Sequence, residues 1–159
     1  MSTLKTNTIQ AVTGTTVSVS SGHSFKTNTI TGTTTAGSIA VTGEGNSNTT
    51  NLQQGLAKAW LNQDGTATDA AARDSFNIGS ITDSGSGNYT PAFTTNMGNA
   101  NWSSQISGNN GTTDVSAAHD YGFAVVDRAA ANFRIDIENA SNSQTDLSLT
   151  DTVIFGDLA

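Results

Sequence analysis

The chain contains no cysteine, one proline, and only six lysine and arginine residues against thirteen aspartate and glutamate residues. Without cysteine it can form neither a disulfide nor a thiolate metal site. Its net charge is −7 and its basic residues do not cluster, whereas nucleic-acid binding requires clustered lysine and arginine to displace counterions from phosphates. The same shortage argues against binding to an anionic membrane surface. We therefore expect neither a nucleic-acid partner nor a membrane partner.

Long apolar runs are also missing. No stretch approaches the roughly 20 apolar residues that a membrane-spanning helix needs, and the first residues lack the apolar core of a signal peptide. We expect no membrane insertion, and synthesis in a host cytoplasm. Because only 12% of the residues are charged, the surface must consist mainly of threonine, serine, asparagine and glycine.

Aromatic residues are few and unevenly placed. Residues 1–54 contain one, Phe25, whereas both tryptophans, both tyrosines and the other five phenylalanines lie in residues 55–159. A core of ordinary quality is therefore expected only in the second segment. This contrast divides the chain into a repetitive Thr/Ser/Gly-rich stalk, residues 1–54, and a folded head, residues 55–159.

The stalk contains repeats. The pentapeptide Lys-Thr-Asn-Thr-Ile occurs at residues 5–9 and again at 26–30, and a short alternation places Val17 and Val19 on one face of a strand. A disordered low-complexity tail is the alternative, but the content of valine, isoleucine and threonine favours strands. Because each repeat has too little apolar surface to fold alone, we expect copies of the chain to intertwine around a common axis, preferably three.

The head has the pattern of an all-β domain. Short apolar alternations, clearest at Phe133, Ile135 and Ile137, are separated by turn sequences such as residues 83–87. Seven short strands with frequent turns predict an antiparallel β-sandwich or a small barrel. The predicted strands are residues 56–62, 74–81, 88–94, 102–107, 121–126, 132–138 and 152–155.

Four features carry more specific expectations. Trp60 is predicted to be the first core anchor of the head, and Trp102 to be a core residue rather than a residue that stacks on a sugar. Pro91 predicts an edge strand or a bulge, because proline cannot donate a hydrogen bond within a sheet. Residues 67–73 could form one short helix or could begin a strand.

Several short motifs occur in order through the head. They occupy residues 57–60, 73–77, 80–90, 93–97, 101–102 and 153–156. Together they resemble a module of bacteriophage tail-fibre and virion-fibre proteins, and residues 4–9 look like the beginnings of fibre proteins of marine phages. The resemblance implies a homotrimeric, β-rich fibre on a tail or capsid, and for some members contact with the host cell surface.

No catalytic or metal-binding constellation is predicted. His119 and Asp120 are adjacent and would point to opposite faces of a strand, so they do not form a catalytic pair. Asp136 and Glu138 share a face, but no second element is evident that would hold a sugar chain for hydrolysis. His23 is expected in a turn, although three copies on a symmetry axis could bind a transition metal. We expect no enzyme activity, no metal and no cofactor.

The longest stretch without a strand pattern runs from residue 109 to residue 119. Loops at the end of a sandwich are common binding sites, and a glycan of the host surface is the ligand considered for this one. The candidate receptor-binding residues are Asn109, Asn110, Thr113, His119 and Tyr121.

These features predict a structural virion protein. It would be a short homotrimeric phage fibre whose N-terminal segment attaches to a capsid or tail protein and whose head contributes to host adsorption. The alternatives are a monomeric carbohydrate-binding or adhesion module of a bacterial surface protein, and an enzyme acting on polysaccharide. Oligomeric state separates the first two, and release of reducing ends would reveal the third.

Overall fold

The structure is a computed structural model that describes residues 21–22, 24, 26–30, 39–42, 45, 48–111 and 121–159. Within these ranges every regular element is a β-strand, and no helix able to cross a membrane occurs. The strands are β1 (Ala40–Thr42), β2 (Thr49–Asn51), β3 (Ala59–Asp64), β4 (Ala71–Phe76), β5 (Ile78–Asp83), β6 (Asn88–Phe93), β7 (Ser103–Asn109), β8 (Tyr121–Val126), β9 (Arg134–Asn139) and β10 (Leu149–Phe155).

The strands form three antiparallel sheets. β1 and β2 make a small hairpin, whereas the other eight strands make two four-stranded sheets. The first sheet has the order β4-β3-β10-β7 and the second the order β5-β6-β9-β8. Buried residues of both sheets meet in one core, so the arrangement is sandwich-like. The predicted all-β, antiparallel architecture is confirmed, with eight strands in the head rather than seven.

The strand directions define two ends of the head. At the hinge end, residues 51–58 lead into β3 and residues 156–159 follow β10, since Ala59 pairs with Ile154 there. The opposite end is the loop end. Three connections, residues 65–70, 84–87 and 140–148, meet at the loop end, together with the described ends of the β7–β8 connection, residues 110–111 and Tyr121.

One apolar core lies between the two sheets. Buried residues alternate with half-buried or exposed ones along β3, β6 and β10, as expected for strands with one face inward. The indole ring of Trp102 meets the rings of Phe93 and Phe133 edge-on, with centroids 6.0 and 5.5 Å apart. Trp102 Nε1 donates a hydrogen bond to the carbonyl of Ala129 at 3.1 Å, so its polar atom is satisfied. The prediction that Trp102 belongs to the core is confirmed.

The prediction that Trp60 anchors the core is wrong. Adjacent strand residues point to opposite faces, and in β3 it is Ala59 and Leu61 that are buried in the core. Trp60 lies half-buried on the outer face of the first sheet, paired with Phe76 of β4 and Val153 of β10.

The polar neighbours of Trp60 explain this choice of face. Asn62 and Asp64 stand on the same side of β3 as Trp60, because a strand repeats every two residues. Turning Trp60 inward would bury the Asp64 carboxylate, which costs far more than leaving an indole partly exposed. The cost of burying Asp64 therefore outweighs the gain from burying Trp60, and this determines which face of β3 points into the core.

The strand predicted at residues 74–81 is two strands joined by a corner. Asn77 has a left-handed backbone conformation, with φ of +58°, and passes the chain from the first sheet to the second. Its Nδ2 donates to the carbonyls of Lys58 (3.1 Å) and Thr95 (3.0 Å), and its Oδ1 accepts from the Thr95 N–H at 2.7 Å. Before this corner, β4 begins at Ala71, so residues 67–73 begin a strand and form no helix.

The prediction that Pro91 marks an edge strand is wrong, because β6 lies between β5 and β9. The carbonyl of Pro91 accepts the N–H of Phe133 at 3.2 Å, but proline has no N–H to return. Regular pairing of β6 with β9 is accordingly confined to Asn88 and Tyr89. The register shift of the β5–β6 pair lies at Gly79 instead of at the proline.

Only part of the predicted stalk can be compared with the structure. The β1–β2 hairpin belongs to it and joins the head through residues 51–58. The repeat at residues 26–30 has no regular secondary structure, whereas residues 5–9, Val17 and Val19 lie outside the described residues. The intertwining of several copies stays a prediction.

Candidate functional site

The loop end is organised around the connection between β9 and β10, residues 140–148. Within it, the Asp146 carboxylate accepts hydrogen bonds from Tyr89 Oη at 2.5 Å and from the Gly87 N–H at 2.7 Å, which fixes the β5–β6 turn. Tyr89 Oη also lies 3.3 Å from the carbonyl of Gly65. Burial, and after it the Asp146 carboxylate, raises the pKa of Tyr89 well above its ordinary value, so its phenol remains a hydrogen-bond donor.

An ion pair fixes the β3–β4 turn at the same end. Arg73 Nη2 lies 2.6 Å from Asp64 Oδ2, and Arg73 Nη1 donates to the carbonyl of Ser148. Thr66 donates to Asp64 Oδ1 from its N–H at 3.0 Å and from its hydroxyl at 2.7 Å. The Thr66 hydroxyl, with a further contribution from Arg73, holds the pKa of the Asp64 carboxyl below its ordinary value.

Three of the five candidate receptor-binding residues lie together at the loop end. Asn109 is the last residue of β7, and its side-chain oxygen accepts the Gly111 N–H at 2.7 Å. Asn110 Nδ2 donates a long hydrogen bond of 3.5 Å to the hydroxyl of Tyr121, the first residue of β8. The two ends of the β7–β8 connection are therefore brought into contact by these residues.

The other two candidates, Thr113 and His119, lie in residues 112–120, outside the described ranges. The same is true of Asp120, and His23 is outside them as well. Gly111 marks where the described part of the connection ends. A Cβ atom on this glycine would stand 2.7 Å from the Ser148 hydroxyl, so the connection begins directly beside residues 140–148.

The exposed surface of the loop end is rich in amide and hydroxyl groups. Its acidic residues include Asp69 and Asp83, and Arg73 is its cation among the residues described. No large apolar side chain is exposed in the described part of this end. Such a surface can hydrogen-bond to the hydroxyls of neutral sugars and repels polyanions. The exposed amide and hydroxyl residues are Thr66, Thr68, Ser84, Ser86, Asn110, Ser141, Asn142, Ser143 and Gln144.

Of the two acidic residues on one face of β9, Asp136 has local partners and Glu138 faces solvent. Asp136 accepts a hydrogen bond from Gln144 Nε2 at 2.8 Å and lies 3.5 Å from Arg134 Nη2, while Glu138 is exposed. In the part of the chain that the structure describes, no three histidine, cysteine or acidic side chains come together in a way that could hold a metal ion. The chemistry that these residues offer is hydrogen bonding.

The sequence-based candidates missed the residues that shape this end, above all Asp146 and Arg73. Asp64 carries a recognisable local signal, because aspartate before glycine with threonine two residues later is typical of a side-chain-capped turn. Asp146 carries none, since its partners Gly87 and Tyr89 are 59 and 57 residues away in the chain. Only the fold brings these groups together.

Comparisons with known proteins give no match to any family model, curated protein or solved structure. The resemblance to phage fibre proteins therefore rests on the short motifs of the head and on residues 4–9 alone. The composition of the chain and the geometry of its two ends are the further indications of function.

Proposed function

We propose that the chain is a structural virion protein, a short homotrimeric fibre on a phage tail or capsid that contributes to adsorption on the host surface. Residues 1–54 join three copies and attach them to a capsid or tail protein. The heads present their loop ends outward. The observation that carries this proposal is the opposite placement of the hinge end and the loop end.

The geometry suits a terminal module. The N-terminal segment reaches β3 at the hinge end, where Lys58 fastens it to the head: its N–H donates to the carbonyl of Ile154 at 2.8 Å, and its ammonium donates to the carbonyls of Gln53 and Leu56. The last residues of the chain stand at the same end, where Leu158 bridges to Met97. A particle attached through the N-terminal segment would leave the loop end farthest from its surface.

The composition of residues 1–54 supports the trimer. Its only aromatic residue is Phe25, and of the described apolar side chains before the hinge, Ile30 and Val41 are 62% and 50% exposed. Strands with so little apolar cover gain stability when copies share a core, as repeats do when they stack.

The loop end supports weak, repeated binding to neutral glycans. Amide and hydroxyl groups make hydrogen bonds of modest net strength, about 1 kcal/mol each. Three heads on one fibre, and several fibres on one particle, raise the effective concentration of each further contact. An acidic surface of this kind would disfavour acidic polysaccharides.

Two experiments test the proposal. Gold-labelled antibodies against the chain should decorate purified phage particles at a tail or at capsid vertices, and absence of the chain from the particles would contradict a virion role. A glycan array probed with the full-length protein should retain it on neutral bacterial polysaccharides.

A matched pair of variants localises that binding. Ala140 is exposed beside Asn139, which pairs with Tyr121, and Ala100 is exposed at the hinge end. Ala140→Glu should weaken retention on the array, whereas Ala100→Glu should leave it unchanged. Equal effects of the two substitutions would contradict adhesion through the loop end. A monomeric carbohydrate-binding module would show the same retention pattern, but a single-chain mass in solution.

A further inference from the structure

The outer face of the first sheet divides into an apolar half and a polar half. Towards the hinge end, Phe76, Trp60 and Val153 stand side by side on three adjacent strands, and Phe155 lies one row closer to that end; the fourth strand, β7, closes these rows with Gln105 and Ser103. Opposed residues on neighbouring strands have Cβ atoms roughly 4.5–5.5 Å apart, so the apolar side chains form one continuous apolar row. Phe76 is 51% exposed and Phe155 is 38% exposed.

Towards the loop end the same face is polar. Its next row consists of Asp74, Asn62, Asp151 and Ser107. Asn62 Nδ2 donates to Asp151 Oδ1 at 2.6 Å, and this pair separates the apolar row from the loop end. Two heads that met along this face would therefore bury only its hinge half. The polar row of each head, which contains Asp74 and Asp151, would stay in water and away from that of the other head.

The apolar half continues around the hinge into a cleft of about 790 Å³. Phe76 lines the cleft together with Leu56 and Leu158, which are 53% and 42% exposed. Gln54 Nε2 donates to Asp157 Oδ1 at 2.5 Å along its rim. Four of the six large apolar side chains that the described residues expose, Leu56, Phe76, Phe155 and Leu158, thus lie at this end of the head.

The size of the apolar surface indicates what kind of partner covers it. With phenylalanine and similar side chains contributing 150–250 Å² each, the exposed fractions leave on the order of 300–400 Å² of apolar surface in water. A stable complex between free partners buries about 800 Å² on each side, so this surface alone would not hold two untethered proteins together. It is sufficient for partners that are already tethered, because tethering supplies a high effective concentration.

In the trimer proposed above, the partner tethered beside this surface would be another copy of the same chain. Residues 51–58 join each head to its N-terminal segment directly at the cleft, so copies joined through residues 1–54 would hold their hinge ends side by side. Every head carries the same net negative charge, and the hinge half of this face is the part where charged groups are few.

We propose that the apolar half of this face, formed by Trp60, Phe76, Val153 and Phe155 with Leu56 and Leu158, is the contact between heads in the homo-oligomer. This contact depends on the trimer proposed above. The heads touch at their hinge ends around the common axis, and the polar rows and loop ends diverge from it. Each loop end is thereby left free for a separate ligand.

Cross-linking of the full-length chain tests this contact. The chain has no cysteine, so Phe76→Cys introduces a unique thiol in the apolar row, and Ala124→Cys introduces one on an exposed position of β8 in the second sheet as the matched control. A bifunctional maleimide should convert Phe76→Cys into covalent dimers and leave Ala124→Cys as single chains on a denaturing gel. Sedimentation of both variants before cross-linking gives the number of chains.

The outcomes separate this contact from the fibre itself. A trimeric mass with no cross-link at Phe76→Cys, or with equal cross-links at both positions, would contradict the head contact and leave the trimer standing. A monomeric mass would contradict both.

Discussion

At the scale of single residues, Asn77 holds the corner at which the chain passes from the first sheet to the second. A left-handed backbone costs most residues about 1–2 kcal/mol, and asparagine tolerates it better than alanine does. The three hydrogen bonds of its side chain join the end of β4 to residues 58 and 95, which belong to different connections. The corner between the two sheets therefore depends on both the backbone preference and the amide group.

Replacing Asn77 separates these two contributions. Asn77→Gly keeps the backbone freedom and loses the amide, so we expect it to lower the free energy of unfolding by about 2 kcal/mol. Asn77→Ala loses both and should lower it by about 3–4 kcal/mol. Chemical denaturation of the two variants measures the difference. Equal losses would mean that the left-handed backbone at residue 77 costs alanine no more free energy than it costs glycine.

Tyr89 provides the second prediction at this scale, and it concerns pH. Its pKa is raised in the folded protein by burial and by Asp146, whereas in the unfolded chain it is near 10. Above pH 10 the unfolded state releases a proton that the folded state keeps, so stability falls as pH rises, by up to about 1.4 kcal/mol per pH unit. Below pH 10 the contribution is fully present.

The control for this prediction is Tyr89→Phe, which cannot ionise. At neutral pH the variant should be less stable than the wild type, because Asp146 loses a hydrogen-bond donor. The difference between the two proteins should shrink as the pH is raised above 10 in a series of urea titrations. A constant difference would show that the phenol ionises equally in both states.

At the scale of strands, Gly108 of β7 is closely packed by β10 of its own sheet and by β8 of the second sheet. A Cβ atom there would stand 2.5 Å from the carbonyl oxygen of Leu149 and 3.0 Å from the ring of Phe123 on β8. Gly122 of β8 is the matched control, since the nearest atom of another strand to a Cβ there would be the Glu138 carbonyl oxygen at 3.9 Å. The first glycine is required by packing, whereas the second is not.

We expect Gly108→Ala to destabilise the head by about 1–3 kcal/mol, because a backbone oxygen has to move within a paired strand. Gly122→Ala should change stability by no more than about 0.5 kcal/mol in either direction. Thermal unfolding of the two variants compares them directly. A loss at Gly122→Ala as large as at Gly108→Ala would contradict the close packing at Gly108.

Strands could be predicted from sequence where a regular alternation extended over their whole length. Residues 121–126 were predicted with the observed bounds, and the inward side of Ile135 and Ile137 followed from their alternation. The size of Trp60 predicts an inward side chain, but burying the Asp64 carboxylate on the same side of β3 would cost more than leaving the indole partly exposed. The corner at Asn77 was missed because no local pattern marks a left-handed asparagine inside an apolar run.

At the scale of the whole molecule, the sequence predicts which residues lie at the loop end, but not the contacts that hold that end together. Asn109, Asn110 and Tyr121 were predicted from the length of the connection between strands, and the fold brings these three together. The contacts that hold this end, such as Asp146 with Tyr89, join residues that are distant in the chain. Pairings of this kind follow from topology and leave no trace in local composition.

The two ends of the head also differ in the side chains that they expose. Apolar side chains are exposed at the hinge end, and amide and hydroxyl groups are exposed at the loop end. An N-terminal segment with one aromatic residue in 54 leads into the hinge end. Each of these features is explained if copies of the chain associate at the stalk and hinge and leave their loop ends free.

The mass of the full-length chain in solution, measured by multi-angle light scattering, tests this association most directly. We predict three times the single-chain mass of 16.3 kDa, maintained on dilution. A mass of 16.3 kDa, with the amides of residues 1–54 nevertheless protected from hydrogen exchange, would contradict it, because the N-terminal segment would then be folding without neighbouring copies.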